Sequence, residues 1–136
     1  MSGTLSSPSI SFEELRNQVI NDYTTACESR EASLLGRKEV LTGKAKFGIF
    51  GDGKEIAQIA MARAFREGDF RSGYYRDQTF MFAAGMATIG QFFAQLYAIP
   101  DVEEDPFSGG RQMNAHFATR SLDERGEWKA LKDMKN

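Results

Sequence analysis
"SFEELRNQVINDYTTACESREASLLGRKEVLTG", residues 11–43, decides the fold class. Ser11 followed by Glu14 is a capping box, in which hydroxyl and carboxylate each satisfy an otherwise orphaned amide at a helix start. Phe12, Leu15, Val19, Tyr23 and Ala26 then recur at steps of three and four, and Leu34, Leu35 and Leu41 extend the stripe. The spacing predicts a long amphipathic helix, interrupted near Gly36. Gly43 is its stop, because glycine enters the left-handed region at little steric cost.

Outward from that helix, Ile56, Ile59, Ala60 and Ala64 fall at helical spacing between Lys54 and Phe65, with Ala57 and Met61 widening the apolar face. A turn at Arg66–Asp69 ends this second helix. Gly73-Tyr74-Tyr75 reads as a short strand, since paired aromatics suit a pleated surface. Arg76–Ala84 reads as helical. Thr88 with Gln91 forms a second capping box ahead of Phe92, Phe93, Leu96 and Tyr97, and Pro100 closes that helix. Asp101–Arg120 is irregular and a charged tail follows. Residues 1–10 are rich in Ser, Gly and Pro and read as disordered. The expected fold is mainly α with at most one or two short strands, and residues 11–136 form a single helical unit.

A chain of 136 residues with 41% apolar content fits one globular unit or a piece of a larger one. Seventeen basic residues stand against nineteen acidic ones, so no global field gathers nucleic acid or an anionic membrane. Cys27 is the sole cysteine, which excludes an intrachain disulfide and favours a reducing compartment. The start has neither the basic flank nor the apolar stretch of a signal peptide, and no run approaches the ~20 apolar residues of a membrane span. The expectation is a cytoplasmic protein with no nucleic-acid or membrane partner.

The stretch "KFGIFGDGKEIAQIA", residues 46–60, invites a phosphate-loop reading. Gly48, Gly53 and Lys54 match that loop, but the metal-binding Ser or Thr is replaced by Glu55, whose carboxylate would repel phosphate. The dinucleotide fingerprint fails at Ile56, where a third glycine is required. Gly51-Asp52-Gly53 matches the opening of the magnesium and diphosphate motif of thiamine enzymes, but no asparagine follows at a suitable interval. What remains is a tight turn into the second helix, whose positive end Asp52 or Glu55 would favour.

Taken in order, "VLTGKAKFGIFGDGKEIAQIA", "GDFRSGYYRDQTFMFAAGM", "QFFAQLYA" and "GGRQMNAHF" carry a family likeness. From about residue 13 to about 118 the chain resembles the N-terminal part of the alpha subunit of thiamine-diphosphate-dependent 2-oxo acid dehydrogenases, of the branched-chain or pyruvate type. The resemblance implies the N-terminal portion of an α/β thiamine-diphosphate-binding fold. It implies that Tyr75 and Arg76 contact the cofactor diphosphate, which a planar guanidinium and a phenol suit chemically. Phe47 matches an aromatic or apolar position near the cofactor, with a core phenylalanine as the alternative. His116 matches a histidine near the mouth of the active site, in a substrate or lipoyl-side role, although Asn114 stands where the family has proline. "GRQM" leans toward branched-chain substrates.

The implied reaction is oxidative decarboxylation of a 2-oxo acid with acyl transfer to a lipoyl arm, with thiamine diphosphate and magnesium as cofactors. The implied partners are the remainder of the alpha subunit, a beta subunit or beta half, the lipoyl domain of the acyltransferase and the 2-oxo acid substrate. The magnesium motif is not found here, so no metal ligand is assigned, and the chain reads as a fragment that is inactive alone and prone to self-association. Without the resemblance, Tyr75-Arg76-Asp77 is a strand end with a local ion pair. The chain is then a small helical interaction module with no cofactor. The Met and Phe residues of "TFMFAAGM" and "QFFAQLY" read as core or subunit contact, and Glu13, Glu14, Glu103, Glu104 and Asp105 as solvated faces.

Overall fold
In the computed structural model, residues 10–66 and 69–118 are described, together with Arg125 and Glu127. Residues 1–9, the middle of the turn at Arg66–Asp69 and most of the charged tail lie outside the described residues. Four helices form the fold: α1 Phe12–Leu41, α2 Glu55–Ala64, α3 Gln78–Ala83 and α4 Ile89–Leu96. The mainly α expectation holds, and the described residues contain no strand.

Both capping boxes form. Ser11 and Glu14 exchange side-chain and backbone hydrogen bonds at the start of α1, and Thr88 and Gln91 do the same at α4. Gly43 takes φ +77° just beyond α1, as a left-handed stop requires. Gly36, by contrast, does not interrupt α1. It is buried against Phe50, and a Cβ there would lie 2.4 Å from that ring, so the glycine makes room for the following loop. Arg76 sits in a turn, which shortens the predicted 76–84 helix to six residues. Gly73–Tyr75 is turn and irregular chain rather than strand. Asp77 fastens that turn by accepting from the Tyr74 amide at 2.8 Å and pairing with Arg71 at 3.0 Å, which leaves no extended edge to pair.

The apolar stripe of α1 is not its buried face. Phe12, Leu15, Val19 and Tyr23 are exposed, as are Leu34, Leu35 and Leu41, whereas Ser29, Ala32, Ser33, Gly36 and Glu39 are buried. Small residues on that line let α1 approach α3 and α4 closely, and their hydroxyls are satisfied. Gln78 Nε2 donates to Ser33 Oγ at 2.8 Å and to the Ser29 carbonyl at 2.9 Å, while Ser29 and Thr79 share a hydroxyl contact of 2.6 Å. On α2 the buried residues are Glu55, Gln58 and Ile59, while Ile56 and Ala60 of the expected face are exposed.

Two aromatic clusters fill the interior. Phe92, fully buried, meets Phe50, Phe82 and Phe93 edge to face, and Ala32 and Ala115 close that cluster. Burying such a ring contributes about 1.5–3 kcal/mol. Phe80 and Met81 anchor the second cluster, where Phe65 packs on Phe80 and Phe107 on Phe117. The core reading of the Met and Phe runs is thus borne out for Phe80, Met81 and Phe92. Among the described residues no helix is long and apolar enough to cross a membrane.

Candidate functional site
The glycine-rich loop is closed by the chain's own carboxylates. Glu55, at the first position of α2, accepts from the Gly53 amide at 3.0 Å and grips Arg30 of α1 through two bonds of 2.7 and 3.0 Å. Asp52 pairs with Arg37 at 2.6 Å. The Arg30 guanidinium outweighs the desolvation of Glu55 and, with the Gly53 amide, holds its carboxyl down to about 2. The amide and dipole that would attract phosphate at this helix start already hold an internal anion.

Three segments meet beside that loop. Asn114, buried, exchanges two hydrogen bonds with the backbone of Ile49, at 3.0 and 2.9 Å. Proline at this position could make neither bond, so the asparagine ties the "RQMN" segment to the glycine loop. Gln95 of α4 clamps both backbone groups of His116 in the same manner, at 3.1 and 3.2 Å. Gln58 of α2 donates to the Arg76 carbonyl at 2.6 Å and accepts from the Phe80 amide at 2.9 Å. Gly51 lies so close to the Arg76 backbone that a Cβ would come within 2.6 Å of its oxygen.

On this frame, three of the four predicted residues come together. Tyr74 touches the His116 ring edge to face at 6.2 Å and lies 4.4 Å from Tyr75, and the Arg76 guanidinium sits over Tyr75 at 5.1 Å. The result is a continuous row, His116–Tyr74–Tyr75–Arg76. Tyr75 packs its ring on the core, while Arg76 is exposed and forms no ion pair with a described residue. The adjacent Arg71 differs, being mostly buried, paired with Asp77 and stacked over Phe80 at 5.8 Å. The ion pair expected within Tyr75-Arg76-Asp77 is therefore formed by Arg71 instead. Phe47 is 49% exposed on the loop, which overturns the core alternative, and it is not part of the row.

A cleft of about 240 Å³ opens beside the row, lined by Arg71, Tyr74, Phe107, Gln112, His116 and Phe117. His116 Nδ1 faces the carbonyls of Met113 and Asn114 at 3.1 and 3.2 Å. Two acceptors require a proton on Nδ1, which leaves Nε2 as the ring's proton acceptor.

Asp105, expected on a solvated face, is fully buried. It accepts from the amides of Phe107, Ser108 and Gly110 and from the Ser108 hydroxyl, so it shapes the 105–110 turn that walls the cleft. Glu13, Glu14, Glu103 and Glu104 are exposed, as expected. Sequence reasoning missed Tyr74, Gln58 and Gln95. For Gln58 and Gln95 the only signal was a polar side chain among the apolar residues of a helix, and Tyr74, in a turn, offered none beyond its place beside Tyr75.

Over 80 residues, 58% of this chain, the sequence is 40% identical to the 2-oxoisovalerate dehydrogenase subunit alpha of Bacillus subtilis (strain 168). The chain spans 23% of the length of that relative. No protein-family profile matches the chain, and no solved structure matches it.

Proposed function
We propose that this chain supplies the diphosphate-side contacts for thiamine diphosphate in a branched-chain 2-oxo acid dehydrogenase alpha subunit. The observation that carries this reading is the exposed Arg76 guanidinium, seated on the Tyr75 ring with no carboxylate partner among the described residues, in a chain 40% identical over 80 residues to such a subunit.

The residues present fit a diphosphate. The Arg76 guanidinium lies over the Tyr75 ring, and its exposed fork suits two parallel bonds to phosphate oxygens, with the Tyr75 hydroxyl as a further donor. Gln58 and the close approach of Gly51 fix the Arg76 backbone from which the fork projects. When bound, thiamine diphosphate would supply the electron sink for loss of carbon dioxide, and Arg76 and Tyr75 would hold its diphosphate. His116, anchored through Gln95, presents Nε2 for a substrate or lipoyl-side contact at the cleft. No group of three or more His, Cys, Asp or Glu among the described residues is placed to hold a metal. In this reading magnesium takes its protein ligands elsewhere, and the remainder of the alpha subunit, a beta partner and a lipoyl domain complete the reaction.

Titration calorimetry with thiamine diphosphate and magnesium tests the assignment. Arg76→Ala should weaken binding by about 1.5–3 kcal/mol, the value of a hydrogen bond to a charged group, and Arg76→Lys should recover only part of it. Equal affinity of wild type and Arg76→Ala would leave the chain as a helical interaction module.

A further inference from the structure
The cleft beside the row has a one-sided lining. Its polar side chains are Arg71, Tyr74, Gln112 and His116, and no Asp or Glu lines it, so its permanent charge is the Arg71 guanidinium alone. Phe107 and Phe117, edge to face at 5.1 Å, form an apolar wall with Ala115 and Ala118. A volume of about 240 Å³ lies below the roughly 300–1,000 Å³ of sites that take drug-sized ligands. Such a space suits a small molecule with an anionic end and a short apolar chain.

The guanidinium is built into this wall. The Arg71 side chain is only 15% exposed, lies over the Phe80 ring at 5.8 Å, and donates through Nη1 to Asp77 at 3.0 Å. Gly73 makes room for it, since a Cβ there would overlap Nη1. Asp77 thus takes one N–H, and the Nε–Nη2 edge, which carries two parallel donors, has no acceptor among the described residues. Donors withdrawn from water gain most from an ionised acceptor.

We infer that Arg71 is the anion anchor of the cleft. Its Nε–Nη2 edge takes a carboxylate through two parallel bonds, and Phe107 and Phe117 cover the short apolar chain behind that carboxylate. That the carboxylate belongs to the 2-oxo acid of the reaction rests on the function proposed above; the binding of an apolar carboxylate does not. Arg71 and Arg76 then serve different anions, one inside the cleft and one at its exposed margin.

His116 is the sole histidine of the chain and lines the cleft, so its imidazole proton signals report on occupancy. Titration of the whole chain with isovalerate, without cofactor, should shift those signals saturably. Isovaleramide should bind at least about tenfold more weakly, because a neutral amide forfeits the charged pair, and acetate should also bind more weakly, because it lacks the chain. Arg71→Gln should abolish the preference for acid over amide, with the helices checked by circular dichroism. Asp77→Asn keeps an acceptor for the Tyr74 amide while freeing the guanidinium, and should tighten isovalerate binding several-fold. Arg76→Ala should leave the titration unchanged, which separates this site from the diphosphate contacts. No saturable shift, equal affinity for acid and amide in the wild type, or unchanged binding in Asp77→Asn would overturn the proposal. Inorganic phosphate binding as tightly as isovalerate would overturn it in favour of an unselective anion site.

Discussion

The two halves of α1 invert the usual expectation. The half around Phe12–Tyr23 leaves its apolar stripe exposed, while in the half around Ser29–Glu39 it is the small and polar line Ser29, Ala32, Ser33, Gly36 and Glu39 that is buried. Hydrophobic periodicity records which face could be buried, but the partner surface decides which face is. Here the partners are Gln78, Thr79 and Phe50. They suit small side chains and hydroxyls, so close approach and paired hydrogen bonds replace a leucine-rich seam.

The sharpest way to break this contrast is to enlarge the docked half. Gly36→Val places side-chain atoms inside the Phe50 ring and should destabilise the fold by about 3 kcal/mol, the upper range for overpacking, as read by urea denaturation. A loss under about 0.5 kcal/mol would mean that Phe50 moves freely. Gln78→Ala comes next. It removes the donor shared by Ser29 and Ser33 and leaves a void, at a cost of about 2 kcal/mol. The orphaned Gln78 Oε1 limits that cost, because one buried acceptor is already unsatisfied.

Glu55→Gln probes the joint between α1 and α2. The folded carboxyl titrates near 2 instead of the ordinary 4.5, so its stabilisation is complete above about pH 4.5 and disappears as pH falls toward 2. Because Arg30 is half exposed, screening holds the effect to about 1–2 kcal/mol. The variant should be less stable at neutral pH and show a flatter acid limb between pH 4.5 and 2; parallel limbs would remove Glu55 as the cause. The smallest effect belongs to the projecting half. Phe12→Ser should change global stability by no more than about 0.5 kcal/mol, since an 82% exposed ring has little burial to lose.

The site divides along similar lines. Motif order singled out Arg76, Tyr75 and His116 as candidates, and the structure gathers them in one row through Tyr74. The side chains that hold them were not legible. Gln58, Gln95 and Asn114 are common surface residue types, and nothing local distinguishes an amide in solvent from one that clamps a distant backbone. Phe47 fell outside the row and is half exposed on its loop.

By itself the sequence determined where α1 starts and stops and where α4 starts. Capping boxes, the Gly43 stop and helical spacing act within one or two turns, so the residues that decide them are adjacent in the chain. Only the tertiary structure decided which face of α1 is covered, that Gly36 is a contact instead of a break, and that Glu55 occupies the glycine loop. The first two depend on partners 14 to 50 residues away and the third on the Arg30 pair, 25 residues off, and burial and hydrogen-bond pairing across such separations are set by packing, not by local pattern.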